Sequence, residues 1–146
     1  MPIFIFLVAW IFAVCAMTGF SALISKIIGR EVREHHLLAQ LLHTLKSDNI
    51  RKPPSVLKGW IIHFVMGLFF LALYELLWII TAVDRNFLWS IIFGMFIGVI
   101  GILGWMIMFK LNPDPPKLHF NTFYVQLFFA HIVFSVVALV VYRFLQ

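Results

Sequence analysis

The sequence predicts an all-α membrane protein of four transmembrane helices, and three observations carry that reading. Of its 146 residues 63% are hydrophobic and only 12% charged. The mean hydropathy of +1.03 lies far above the range of soluble domains. A bilayer core about 30 Å thick takes roughly 20 apolar residues per helix, and four stretches meet that length, at about 3–27, 57–80, 87–109 and 123–145. Third, the basic residues are sorted. Lys26, Arg30, Arg33, Lys46, Arg51, Lys52 and Lys58 flank the first connection, Lys110 and Lys117 the third, and only Arg85 and Arg143 fall on the other side. The positive-inside rule then predicts cytoplasmic first and third connections and both termini outside.

Four spans use nearly all of the chain, so a single transmembrane domain, 1–146, is expected, without a soluble catalytic module. The formal charge of +5 records this topology and an attraction to anionic lipid headgroups, and nucleic-acid binding is not expected. The lipid bilayer is the expected surrounding partner.

The first span begins MPIFIFLV, without a basic leader, and its positive charges follow the apolar stretch. It reads as a retained anchor rather than a cleaved signal. Lipidation at Cys15 is disfavoured, because Val14 stands where a lipoprotein box needs a small residue. A single cysteine excludes an intramolecular disulfide. Ala9, Ala13 and Ala16 form a small-residue stripe suited to close helix contact.

The following GREVREHHLLAQLLHTLK predicts one short cytoplasmic amphipathic helix, about 30–46, with Leu37, Leu38, Leu41, Leu42 and Leu45 on one face. That face is too narrow to span, so it lies along the membrane surface or packs under the bundle. SDNIRKPPS, residues 47–55, breaks the helix at Pro53 and Pro54. The link AVDRN at 82–86 is so short that the second and third spans must be antiparallel neighbours. The third span carries Gly94, Gly98 and Gly101 on one face, followed by Trp105. This G-x-x-x-G surface suits helix contact, within the chain or with a second copy or membrane partner. NPDPPK at 112–117 is a proline-stiffened turn before the last span.

Offset by 68 residues, the second and fourth spans share H-x3-[GS]-x6-Y-[ER]: His63 falls on His131, Gly67 on Ser135, Tyr74 on Tyr142 and Glu75 on Arg143. At about 100° per residue the His, small residue and Tyr of each span lie within about 40° of one another. The pattern predicts a tandem two-helix repeat with parallel polar stripes.

The set Trp60, His63, Gly67 and Tyr74, with the glycine-striped third span ending in Trp105, the proline-rich turn and His131, resembles small bacterial four-helix membrane proteins, most of them uncharacterised. The resemblance implies four helices in a bacterial inner membrane and supplies no activity. The long histidine-bearing first connection and Ser135, where a second glycine is expected, depart from it.

Ionisable groups within a span usually face the bundle interior and mark function unless structure explains them. Repeat symmetry predicts a structural ion pair between Glu75 and Arg143. His63, Gly67, Tyr74, His131, Ser135 and Tyr142 form the candidate ligand- or proton-binding site between the second and fourth spans. Three chemistries fit it. Neutral imidazoles can hydrogen-bond across helices; His titrates near neutrality and can serve a proton or small-solute pathway; and His63 and His131 could be the axial ligands of a b-type haem, with Gly67 and Ser135 making room. A quinone could fill the same cleft without a ligand bond, and a purely structural subunit of a membrane complex is the remaining alternative. Glu31, His35, His36 and His43 form a weak candidate metal site on the cytoplasmic helix. No hydrolase or transferase signature is present, so a conventional enzyme is not expected.

Overall fold

The computed structural model describes residues 2–46 and 53–145. Among these residues five helices follow one another: α1 (Ile3–Ile28), α2 (Glu34–Lys46), α3 (Val56–Thr81), α4 (Phe87–Leu111) and α5 (Phe120–Leu145). The spans α1, α3, α4 and α5 are long and apolar enough to cross a membrane. At 1.5 Å per residue, 26 residues reach about 39 Å, so each overruns a core of about 30 Å by a turn or so at its ends. The protein is thus a membrane-type helical bundle, as its composition predicts. Most of the helix junction at 47–55, including Arg51 and Lys52, lies outside the described residues, whereas Pro53 and Pro54 precede α3 in non-helical backbone.

Local chemistry sets the helix ends. Gly29 closes α1 in the left-handed region, at φ 65°, and its N–H returns to the carbonyl of Ser25. Asn86 caps α4 by accepting a hydrogen bond from the Trp89 amide.

The packing is asymmetric. Helix α5 runs closely along both α1 and α4, whereas α3 leans chiefly on α2 and hardly touches α5. A two-fold repeat would make α3 as central as α5. It is displaced because α2 is folded into the bundle rather than spread on its surface. Val32, Leu37, Leu38, Ala39 and Leu41 are buried, and the carbonyl of His35 rests against Gly59 of α3, where no side chain would fit. At its far end Asn112, at the close of α4, donates to the carbonyl of Leu41 (3.1 Å) and to Thr44 (2.8 Å).

The glycine stripe is used within the chain. A Cβ on Gly94 would stand 2.8 Å from Ser135 Oγ and 2.9 Å from Ile132 Cα, and one on Gly98 3.3 Å from the Phe128 carbonyl. One on Gly101 would meet the His131 ring at 2.6 Å. Of the two uses expected for this face, contact within the chain or with a second copy or membrane partner, the internal one is seen, against α5.

Candidate functional site

The polar interior sits where α1, α2, α3 and α5 converge. Thr18 and Ser21 lie on the buried face of α1, Glu34 opens α2, His63 is on α3, and Gln126 and His131 are on α5; all six are buried. Between them lies a cavity of about 20 Å³, room for a water molecule, lined by Glu34, His63 and His131 with Gly67, Phe70 and Trp105 among its walls.

Hydrogen bonds assign the tautomers. Thr18 Oγ1 donates its one proton to the carbonyl of Val14 (2.8 Å), so at 3.0 Å from His63 Nε2 it accepts. Neutral His63 then carries its proton on Nε2 and leaves Nδ1 as a bare acceptor. His131 Nδ1 donates to the carbonyl of Leu127 (2.8 Å), which leaves Nε2 bare beside Gly101. Each imidazole thus keeps one basic nitrogen without a hydrogen bond among the described residues.

Glu34 is the reciprocal group. Its Oε1 accepts from Ser21 Oγ (2.6 Å) and from Gln126 Nε2 (3.1 Å), while Oε2 is buried with no partner among the described residues. No basic side chain among the described residues pairs with it. Burial raises its pKa to about 7, aided by the charge of Glu31 and opposed by the Ser21 and Gln126 hydrogen bonds. Near neutral pH this carboxyl therefore exchanges a proton beside two acceptors.

His35 stacks on Trp60, with ring centroids 4.0 Å apart, and its own centroid is 6.2 Å from that of His63. Burial, with the charges of His36 and Arg33, lowers its pKa to about 4, so it stays neutral. The weak metal site expected from Glu31, His35, His36 and His43 does not assemble. Glu31 is turned to Arg33, accepting from its Nε at 2.8 Å, and His35 faces inward onto Trp60. Among the described residues no three His, Cys, Asp or Glu converge as a metal site. Although burial alone raises the Glu31 pKa, the hydrogen bonds and charge of Arg33 hold it below its ordinary value.

The six predicted site residues divide between two places. His63, Gly67 and His131 line the central cavity. Ser135 instead donates to the carbonyl of His131 (3.0 Å) and packs on Gly94. Tyr74 bonds Ser90 (2.9 Å) towards the opposite end, and the Tyr142 ring lies under Arg85, 5.4 Å away. Glu34, Ser21, Thr18 and Gln126 complete the interior, and none of them belongs to the His–small–Tyr pattern.

The structure differs from two further expectations. Glu75 pairs with Arg85, not Arg143: the guanidinium makes two contacts, at 3.1 and 2.7 Å, and also lies over Trp78. Arg143 donates to the carbonyl of Arg85 (3.0 Å) and covers Phe87. Because α3 and α5 hardly touch, helical register alone cannot bring residues 75 and 143 together, whereas the short link folds Arg85 back over α3. Arg85→Leu is expected to cost about 2 kcal/mol by stranding a mostly buried carboxylate, and Arg143→Leu less than about 1 kcal/mol; thermal melting in detergent measures both.

The haem-sized gap is the second. A methyl of Val14 occupies the space beside Gly67, the Phe70 ring meets His131 edge-on at 4.9 Å, and the remaining cavity is water-sized. Neither a haem macrocycle nor a quinone fits between His63 and His131 as they are packed.

Compared with protein-family models, curated proteins and solved structures, the chain finds no match.

Proposed function

We propose that the protein is a multi-pass membrane protein that carries protons through its interior by way of Glu34, His63 and His131. One observation carries this reading: a water-sized cavity lined by a buried carboxyl and by two imidazoles, where among the described residues the carboxyl has no basic partner and each imidazole keeps one nitrogen without a hydrogen bond. Ionisable groups are costly within a bilayer, and groups of this kind usually mark relays. Protonated Glu34 can donate from Oε2 to a cavity water, which passes a proton to His63 Nδ1 or His131 Nε2. No catalytic role is assigned.

Towards the opposite end, Phe70 and Phe134 separate this cavity from the Tyr74–Ser90 pair and from Glu75–Arg85. Transfer across the whole bilayer thus requires a rearrangement beyond this apolar layer, and the closed arrangement suits alternate exposure of one binding site. The charge distribution supports an orientation with α2 in the cytoplasm and both termini outside, and the resemblance supports a bacterial inner membrane.

Protein in liposomes loaded with a pH-sensitive dye tests the reading. Under an imposed pH gradient, vesicles holding the protein should equilibrate faster than protein-free ones. The variant carrying both His63→Phe and His131→Phe should lose this flux about tenfold or more while keeping its helical circular-dichroism spectrum. Wild-type flux no faster than that of protein-free vesicles, at pH values on either side of the Glu34 pKa of about 7, sinks the proposal.

A further inference from the structure

A second site lies apart from the central cavity, at the α2 end of the bundle. A cleft of about 490 Å³ opens between the turn that joins α1 to α2 and the connection that joins α4 to α5. Arg30, Lys117 and His119 line it, and all three are exposed. Gln40 and Thr122 add neutral hydrogen-bonding groups. Its one carboxylate among the described residues, Glu31, is held by Arg33, so its charge is compensated from outside the cleft lining. The cleft therefore offers net positive charge with hydrogen-bond donors, the chemistry of a phosphate site.

The cleft does not end at the polar rim. Thr122 is shared with a groove of about 420 Å³ that runs between α1 and α5, walled by Phe20, Ile24, Val125 and Phe129. Gln126 lies at its floor, but its amide donates inward to Ser21 and Glu34. From Ile28, beside the basic cleft, to Phe20 is eight residues of helix, about 12 Å of depth into the span. A basic mouth at the end of the spans thus continues into an apolar channel along the lipid-facing side.

We propose that this cleft and groove form a binding site for one anionic phospholipid, its phosphate between Arg30, Lys117 and His119 and an acyl chain along Phe20, Ile24, Val125 and Phe129. A free phosphate compound would use only the cleft, and a zwitterionic lipid would bring a second, repelled cation to it. Charge and groove together select a lipid whose headgroup is net negative. The site stands independently of proton transfer.

The delipidated full-length protein in mild detergent, titrated with phosphatidylglycerol and followed by native mass spectrometry, tests this. Phosphatidylglycerol should bind at least about tenfold more tightly than phosphatidylcholine, and glycerol phosphate should not compete. The variant with Arg30→Ala and Lys117→Ala should weaken binding about thirtyfold, the combined effect of two basic side chains at an anionic surface. The charge-preserving pair Arg30→Lys and Lys117→Arg should retain most of it. Val125 is exposed, so Val125→Trp can fill the groove without disturbing the core, and it should also weaken phosphatidylglycerol binding. Equal binding of the two lipids, unchanged binding in either the alanine or the tryptophan variant, or displacement by glycerol phosphate overturns the proposal.

Discussion

Glu34→Gln is expected to slow proton flux in liposomes about a hundredfold, the scale of removing a positioned proton donor, and at the same time to stabilise the protein above neutral pH. Glutamine keeps an oxygen to accept from Ser21 and fills the same space but cannot carry the proton. In the wild type the carboxyl is neutral when protonated and fits its buried place. Its pKa in the folded state, about 7, lies above the ordinary 4.5, so the folded chain holds a proton that the unfolded chain releases. The favourable contribution is complete below about pH 4.5, declines as pH rises, and is gone above about pH 7. A shift of this size corresponds to roughly 3 kcal/mol, as an order of magnitude. Thermal melting in detergent at about pH 5 and about pH 8 should therefore show wild type losing stability over that range. Glu34→Gln should show a flatter profile. Flux that survives in Glu34→Gln removes this residue from the relay; a pH profile identical to wild type shows that it is not the titrating group.

Glu34 leaves no mark of its own in the sequence, whereas the spans and the interior histidines do. The four spans are legible because each is one continuous run of 25 or 26 mostly apolar residues, and no tertiary contact can imitate that signal. His63, Gly67 and His131 are legible as polar or small exceptions within those runs, and they do line the cavity. Glu34 has no such contrast. It stands among Arg33, His35 and His36 in a segment whose charge suits a membrane surface, and only the insertion of α2 beneath the bundle buries it. That insertion depends on Gly59 receiving the His35 carbonyl, a contact between segments with no shared pattern. Gln126 is the one trace available beforehand, an amide deep in a span with no local partner; it bonds Ser21 and Glu34.

The matched stripes fail for a related reason. Spacing of His, small residue and Tyr fixes which residues share a face, but not what that face meets. On α3 the small residue, Gly67, takes a methyl from α1, while on α5 Ser135 meets Gly94 of α4. The tyrosines go to the opposite end, where Arg85 gathers Glu75, Trp78 and Tyr142. Equal spacing therefore yields two different environments once α2 takes the side of α3.

The largest loss of stability is expected from Gly94→Leu. The atoms a side chain would meet there include the backbone of α5, Ile132 Cα at 2.9 Å and the carbonyl of His131 at 3.1 Å, as well as Ser135 Oγ at 2.8 Å. A flexible side chain can turn aside, but a packed helix backbone can only move as a whole. Moving it separates α5 from α4 along one of the two main interfaces of the bundle. Overpacking a core typically costs about 1–3 kcal/mol, and a leucine driven against backbone belongs at or above the upper end, about 3 kcal/mol or more. Gly104, on the same helix, is the control, since nothing lies within 4 Å of its Cβ position. Gly104→Leu should leave stability unchanged or raise it by up to about 1 kcal/mol, because leaving glycine favours the helix. The pair also separates an internal packing stripe from an oligomer face. If Gly94, Gly98 and Gly101 served a second copy of the chain, Gly94→Leu would change the oligomeric state seen by light scattering and leave monomer melting intact. A large drop in melting temperature, with no change of oligomeric state in the protein that remains folded, is the result that α4 packed on α5 demands.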